Sequence, residues 1–393
     1  MSSFTNKEVS SIETLFRNRV RKDKKLKNAF LLVHSDKFGY HLNIADGVGE
    51  NTSPSPHQPV YMASDGEKSS PNPQQPGYVA SGSKNTSPSP HQPVYMASVG
   101  KLYTAVIIAI LHERGILNFA DHIGKFLDSD LMNQLHVYKK KDYSSEILIR
   151  HLLNQTSGLP DNFFPLFDKL LADHSFEISP REAVLWAKNN LKPKGKPGGK
   201  SHYTDTNYHL LGLIIEQVCG EPFHAVMKQL IFDPLDMKHS YVLQYSKPDQ
   251  NPGYDEAGFY YNQVRLNDIK GFAGIDFSGG GVVAPMEDSL KFMKALTNHQ
   301  LISEETFQVM LHDKARLYPG WNYGYGIWQV SPIPILLPEK YSSWGVLGAT
   351  GAFMFYHPKL DTYIIGSFNH QTWQRKCVRF MFKIMNTLLK ENA

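Results

Sequence analysis

Residues 98–117 read SVGKLYTAVIIAILHERGIL, and this stretch decides how the rest of the chain is interpreted. Apolar side chains recur at helical spacing from Leu102 onward and Gly115 ends the pattern, which predicts a helix. Ser98 and Lys101 stand one helical turn apart at its start, so the amine can reach the hydroxyl on the same face. Free N–H groups at a helix N-terminus can also face the anion formed when a hydroxyl attacks a carbonyl. The segment therefore predicts a serine nucleophile with its own base.

Residues 51–101 consist of three copies of a 17-residue unit, and Ser98 and Lys101 lie at the end of the third copy. The spacing S-x-x-K occurs in the second and third copies, so the context must decide which copy is active. Lys84 is followed by the proline-rich NTSPSPHQP, which cannot form a helix, whereas Lys101 is followed by the apolar helix. We predict that Ser98 and Lys101 are the active pair; the alternative makes Ser98 only a helix cap and Lys101 a surface lysine. The duplicated copies of the pair are Ser81–Lys84 and Ser64–Glu67.

The Pro-, Ser-, Asn- and Gln-rich composition of residues 48–93 cannot bury a core and predicts an extended, polyproline-like excursion on the surface. Loop length costs little free energy, so such an insert can persist without a role. The other interpretation is that the insert acts as a lid or a partner-binding arm beside the active-site mouth.

Strand patterns at both chain ends surround a helical middle. The apolar runs 29–36 and 40–47 predict a hairpin, and the C-terminal part returns to strands before an amphipathic helix from about Trp373 to Leu389. This order predicts an α+β fold, an α/β sandwich in which N- and C-terminal strands share one antiparallel sheet with flanking helices, plus an inserted, mostly helical domain. The expected units are a sheet-bearing domain of residues 1–47 and 270–393, the insert 48–93, and the catalytic helix with the helical domain 94–269.

Composition and charge exclude several classes of protein. The 41 basic and 37 acidic residues of the 393-residue chain are spread evenly, without the basic stripe that nucleic acid requires. No export signal or membrane span is seen, so we expect a cytoplasmic location. The 17 histidines form no H-E-x-x-H or comparable constellation, so no metal or cofactor is expected. No G-x-S-x-G elbow occurs, which argues against an α/β-hydrolase. The sequence does not predict the oligomeric state.

Three more stretches follow the nucleophile helix in order: RHLLNQTSGLPD at 150–161, the segment 202–242 that begins HYTDTNYHLLGL, and LGATGAFMFYHP at 347–358. With them the chain resembles the serine β-lactamase and penicillin-binding-protein superfamily, particularly the branch of class C β-lactamases, D-alanyl-D-alanine peptidases and S-x-x-K carboxylesterases. The resemblance extends from about residue 29 to 389, apart from the repeat insert, and implies a β-lactamase/transpeptidase-like fold.

The resemblance implies a role for the second motif, which is Y-x-N in that family. Tyr203-Thr204-Asp205 matches it at two of three places. Tyr203 would act as phenolate or proton shuttle, taking the serine proton and passing it to the leaving group. Asp205 places an acid where the family has an amide, so a donor to the substrate carbonyl is absent unless the carboxyl is protonated.

The third family motif is K-T-G or H-[ST]-G, followed by A-T-G. Here GVLGATG at 345–351 keeps the glycines, including Gly348, but has Val346 and Leu347 where the cation and hydroxyl should stand. An apolar pair cannot bind the carboxylate of β-lactams or D-alanine-terminated peptides, so specificity is expected to have moved. The resemblance implies that the N–H of Ala349 is the second oxyanion donor beside that of Ser98.

The expected function is hydrolysis through an acyl-enzyme, with a small carboxylic ester or amide as substrate and an ester favoured. The absent export signal, the apolar third motif and the abundant aromatic residues support an ester. If Arg316 or Lys314 replaces the missing cation, a D-amino-acid peptidase, penicillin-binding protein or weak β-lactamase becomes the alternative, and an acyltransferase is also open. The aromatic clusters 163–167 and 321–325 either line an acyl pocket or pack in the core. From another class, a catalytically silent binding protein would use the repeat as its interaction arm.

Overall fold

A computed structural model describes residues 6–51, 85–334 and 337–390 of the chain. Most of the predicted surface insert, including the pairs Ser64–Glu67 and Ser81–Lys84, lies outside the described residues.

The helices and strands follow the order that the apolar patterns indicate. The α-helices are α1 Asn6–Lys22, α2 Gly100–Glu113, α3 Ser129–Met132, α4 Ile149–Leu153, α5 Phe163–Ala172, α6 Pro180–Asn190, α7 Asp205–Cys219, α8 Phe223–Met227, α9 Phe272–Asp276, α10 Met286–Thr297, α11 Glu304–His312 and α12 Lys376–Leu389. The strands are β1 Ala29–Ser35, β2 Tyr40–Asp46, β3 Glu50–Asn51, β4 Asn85–Thr86, β5 Val94–Tyr95, β6 Val137–Tyr138, β7 Lys141–Asp142, β8 Tyr241–Val242, β9 Tyr260–Tyr261, β10 Val264–Arg265, β11 Val282–Ala284, β12 Ala315–Tyr318, β13 Trp321–Tyr323, β14 Trp328–Val330, β15 Ser343–Leu347, β16 Phe353–His357 and β17 Thr362–Ser367.

One eight-stranded sheet joins the two ends of the chain. Its order is β12-β13-β14-β15-β16-β17-β1-β2, and every neighbouring pair is antiparallel. The C-terminal strand β17 pairs directly with β1, with Phe30 opposite Ser367. The predicted α+β fold with N- and C-terminal strands in one sheet is therefore confirmed.

Both faces of this sheet are covered by helices because its central strands are apolar on both sides. On β1, Phe30 and Leu32 belong to one buried cluster and Leu31 and Val33 to the other. Alternate side chains of a strand point to opposite faces, so this division places α1 and α12 on one face and α2 and α10 on the other. The apolar helix α2 is thereby enclosed between the sheet and the other helices.

The helical part of the chain is built around α7. Thr204 caps its N-terminus by accepting a hydrogen bond from the N–H of Thr206, and Gly220 ends it in a left-handed conformation with a φ of 69°. Ser179-Pro180 is a sequence pattern typical of a helix start, and here Ser179 and Glu182 form a capping box in which they bond reciprocally. Helix α7 packs against α2, α4 and α6, so its N-terminal end comes close to the start of α2.

One prediction of local structure needs correction. The C-terminal return to strands was expected to begin with FSGGGVVAP at 277–285, but residues Phe277–Gly279 form a 3-10 turn and only β11 is extended. Of the two interpretations of the cluster at 321–325, core packing is favoured, because the cluster contributes strand β13 and two fully buried tyrosines, Tyr323 and Tyr325.

Within the described ranges, no single helix is long and apolar enough to cross a membrane. The two segments Thr206–Cys219 and Phe223–Phe232 reach that length and hydropathy when they are taken together, but the chain bends by 81° between them.

Candidate active site

The backbone around Ser98 is held in an unusual conformation. Strand β5 leads into a 3-10 turn, Ala97–Val99, which continues directly into α2. Ala97 has a φ of +50°, a left-handed conformation that costs a non-glycine residue free energy and persists only when its surroundings fix it. Gly100 permits the close packing that does so, because a Cβ there would lie 2.9 Å from the Cα of Gly280. Ser98 is thereby half-buried, with its N–H in the first helical turn where intrahelical acceptors are lacking.

Lys101 is fully buried and its amine is surrounded by acceptors. Its Nζ lies 3.1 Å from Ser98 Oγ and 2.7 Å from the carbonyl oxygen of Gly279, and it pairs with the carboxylate of Asp205. An ammonium group has three N–H donors and no lone pair, so this set of acceptors suits the charged amine.

Tyr203 completes the contacts of the serine hydroxyl. Its hydroxyl interacts with the side chain of Ser98, and its ring centroid lies 5.2 Å from Lys101 Nζ. The rings of Tyr323 and Trp328, each with its centroid 5.7 Å away, fix its orientation. Burial, reinforced by the negative charge of Asp205, raises the pKa of Tyr203 well above its ordinary value. In the resting site Tyr203 is therefore a neutral phenol.

A hydrogen-bonded frame between residues 155–162 and the start of α7 positions Tyr203 and Asp205. Gln155 Oε1 accepts from the N–H of Thr204 at 3.0 Å and from Asn207 Nδ2 at 2.7 Å. The carbonyl oxygen of Pro160 accepts from the hydroxyls of Thr204 and Thr206 at 3.0 and 2.7 Å. The motif QTSGLPD, quoted from the sequence without a role, is thus the support of the second motif.

Two further carboxyl groups lie beside the Lys101–Asp205 pair, and the sequence did not identify either. Asp161 Oδ1 accepts from the N–H of Asp205 at 2.9 Å; burial, and then the charge of Asp205, raise the pKa of Asp161 to about 6. Asp276 accepts from the hydroxyl of Tyr95 at 2.8 Å, and burial raises its pKa to about 7. Asp161 ends a stretch that could be recognised, but Asp276 has no local signal.

The third motif approaches the nucleophile through its backbone. A Cβ on Gly348 would lie 2.8 Å from the carbonyl oxygen of Met96 and 3.0 Å from the Cβ of Ala97, so the end of β15 contacts the segment that precedes Ser98. Ala349 follows in a half-buried turn. Val346 is fully buried in one core cluster, and Leu347 packs against the other. The structure therefore brings Gly348 against the segment that precedes Ser98, with Ala349 next to it in the chain, and directs Val346 and Leu347 into apolar packing.

A cleft of about 420 Å³ opens beside Tyr203. Its apolar and aromatic lining consists of Leu159, Tyr203, Leu317 and Tyr318, and its polar lining of Asp161, Lys194, Ser201 and His202. The two cations considered as replacement anchors are absent from this lining. Lys314 bonds to Gln329 Oε1 at 2.7 Å, and Arg316 points from β12 as an exposed residue.

These features coincide with a known family. Residues 58–383 match the family model named Beta-lactamase. The chain belongs to the beta-lactamase family. This is a family of serine hydrolases, and the resemblance expected from the motif order is confirmed.

Similar proteins include the putative penicillin-binding protein PbpX of Bacillus subtilis (strain 168), 26% identical over 255 residues, which are 63% of this chain and 54% of that protein. Penicillin-binding protein 4* of the same organism is 29% identical over 167 residues, 42% of this chain and 34% of that protein. The chain thus aligns with only about a third to a half of the length of these relatives.

Among solved structures, the D-amino acid amidase of Ochrobactrum anthropi SV3 complexed with L-phenylalanine superposes with a TM-score of 0.74 at 16% identity, covering 99% of this chain and 100% of that one. EstCE1, described as a hydrolase with promiscuous acyltransferase activity, gives a TM-score of 0.72 at 15% identity, covering 97% and 98%. At these identities the likeness extends to the fold alone.

Proposed function

We propose that this protein is a serine hydrolase that forms an acyl-enzyme on Ser98 and acts on small carboxylic esters. The observation that carries the proposal is the position of the Ser98 hydroxyl, which accepts a hydrogen bond from Lys101 Nζ at 3.1 Å and lies beside Tyr203 at the start of a buried helix. A nucleophile within hydrogen-bond reach of a base, with a third group orienting that base, is the arrangement that covalent catalysis needs. Here Asp205 orients Lys101.

In the acylation step, the hydroxyl of Ser98 attacks the ester carbonyl and must lose its proton. Lys101 can accept that proton once it has passed one of its own to Asp205 along their hydrogen bond, which frees a lone pair on Nζ. Tyr203 then donates its phenolic proton to the leaving alkoxide and recovers a proton from Lys101. The tetrahedral intermediate collapses to the acyl-enzyme and a free alcohol, and water releases the acyl group by the reverse proton transfers.

Backbone N–H groups would stabilise the negative charge on the carbonyl oxygen. Ser98 supplies one from the first turn of α2, and Ala349 supplies the other from the turn that follows β15. Such preorganised donors are worth about 3–4 kcal/mol each in transition-state stabilisation. The close contact between Gly348 and Ala97 supports this role, because it holds the two turns together.

The test is a rapid-mixing assay with p-nitrophenyl acetate and butyrate, combined with intact mass measurement of the protein. A burst, turnover and a covalent acyl adduct are expected in the natural protein and should disappear in Ser98→Ala. Ser175→Ala is the matched control, because Ser175 is exposed and, in the part of the chain that the structure describes, its hydroxyl bonds within its own turn, to Asp173. Equal rates and no adduct in all three proteins would refute the proposal and favour a binding protein on the same scaffold.

A further inference from the structure

The cleft beside Tyr203 contains one carboxylate oxygen that has no partner among the described residues. Asp161 Oδ1 accepts from the backbone N–H groups of Asp205 and Phe163, at 2.9 and 3.4 Å. Among the described residues, no hydrogen bond or ion pair reaches the second oxygen, Oδ2. The backbone therefore fixes the orientation of a half-buried acid whose remaining oxygen is available to a ligand in the cleft.

The charges around this acid favour a cation. Asp161, Asp205 and Asp276 lie around a single buried amine, that of Lys101, so the amine cannot neutralise all three carboxylates when they are ionised. Two other basic side chains line the cleft, Lys194 and His202. Neither forms an ion pair with Asp161 among the described residues, and Lys194 is exposed at the rim. At neutral pH, Asp161 is largely ionised because its raised pKa is still about 6.

The aromatic wall of the cleft points to the same chemistry. Tyr203 and Tyr318 line the cleft, and Trp328 packs against both of them, with ring centroids 5.7 Å from Tyr203 and 6.3 Å from Tyr318. The faces of aromatic rings attract ammonium groups, and a carboxylate bound to an ammonium forms a charge-assisted hydrogen bond. No comparable anchor for an anion exists in the third motif, because Val346 and Leu347 pack in the two cores.

We propose that Asp161 is a specificity-determining residue that binds an ammonium group of the substrate, so that the preferred substrates are small esters carrying an amine near the scissile carbonyl. This inference rests on the proposed function, since it specifies the substrate of the same site. Asp161 itself takes no part in the transfer of protons.

The experiment compares three benzyl esters of similar shape: 3-aminopropanoate, which is cationic, butanoate, which is neutral, and the succinate half-ester, which is anionic. Benzyl alcohol release gives kcat/KM for each at neutral pH. A charge-assisted hydrogen bond contributes enough to make the cationic ester at least about tenfold better than the neutral one. The ratio of the two values is the readout, so a general change in rate does not affect it.

Asp161→Asn removes the charge but keeps an Oδ1 for the two backbone donors, so the fold of the segment should survive. In this variant the ratio should fall to about one or below. Asp168→Asn is the control, since Asp168 is an exposed acid on α5 and its loss changes the net charge equally. Labelling of Ser98 by a fluorophosphonate reports in every variant that the nucleophile is intact.

A ratio near one in the natural protein, or a ratio that Asp161→Asn leaves unchanged, would overturn the inference. Preference for the succinate ester would also overturn the inference, and it would indicate that Lys194 binds the charged group of the substrate. Failure of the proposed function looks different, because then none of the esters would be cleaved and Ser98 would not be labelled.

Discussion

The replacement of Asp205 by Asn tests the buried pair on which the site depends. The side chain of Lys101 is fully buried and that of Asp205 is 9% exposed, so solvent screens their interaction little. Asn is nearly isosteric, leaves the packing intact and keeps an Oδ1 that can accept from Lys101, but it removes the negative charge, so the buried ammonium would contact only neutral acceptors, Ser98 and Gly279 among them. Removing one partner of a buried ion pair costs about 3–5 kcal/mol. We therefore expect Asp205→Asn to lower the free energy of unfolding at neutral pH by about 3 kcal/mol.

Urea unfolding of Asp205→Asn, Lys101→Met and the double variant measures this effect and the coupling within the pair. The double variant contains no unpaired charge, so its loss should be smaller than the sum of the two single losses by about 1–3 kcal/mol. Asp121→Asn is a matched control, because Asp121 pairs with Lys125 at 3.2 Å on the surface and should contribute only about 0–1 kcal/mol. A loss below about 1 kcal/mol in Asp205→Asn, with additive effects in the double variant, would refute the reasoning.

The remaining predictions concern the phenol, a buried acid and a glycine. Tyr203→Phe should lower kcat by about 10²–10⁴-fold, measured by steady-state ester hydrolysis, with unchanged thermal unfolding because the ring keeps its contacts with Tyr323 and Trp328. Burial raises the pKa of Asp276 from 3.8 to about 7. Between these two pH values the folded protein keeps a proton that the unfolded chain has released. The contribution of Asp276 to the free energy of unfolding therefore falls as the pH rises from about 4 to about 7. Asp276→Asn, which can still accept from Tyr95, should make urea unfolding less sensitive to pH between about 4 and 7, and an unchanged pH dependence would contradict this sign. Gly100→Ala should displace the nucleophile segment and lower kcat about 10²-fold, whereas Gly124→Ala, whose Cβ would meet only the flexible Met132 at 3.4 Å, should not.

Much of the fold could be predicted from the sequence because its signals are local. The hairpin of β1 and β2, the helix after Ser98 and the capped start of α6 each depend on side chains close together in the chain. The strands β12 and β14 were not predicted, because they are short and their apolar residues lie within a stretch rich in aromatic and glycine residues.

The candidate site could be predicted only in part, for the same reason. Ser98 and Lys101 are one helical turn apart, and Tyr203 belongs to a recognisable motif, so a pattern can find them. Asp161 and Asp276 come from a loop and a short helix, and only the folded backbone brings them to the buried amine. The pairing of Asp205 with Lys101 could likewise not be predicted, because a contact between residues so far apart in the chain produces no recognisable spacing pattern.

The two departures from the family motifs act in the same direction. An acid at position 205 in place of an amide adds a negative charge next to the nucleophile, and the apolar pair at 346 and 347 removes a positive one. Each change alone makes the site less suited to the anionic substrates that the resemblance implies for the family motifs. Under the proposed function, we infer that together they make the site repel carboxylates and attract amines, with Asp161 providing the oxygen at which an amine can be bound. The loss of the anion anchor and the proposed preference for cationic esters are therefore two results of one shift in charge.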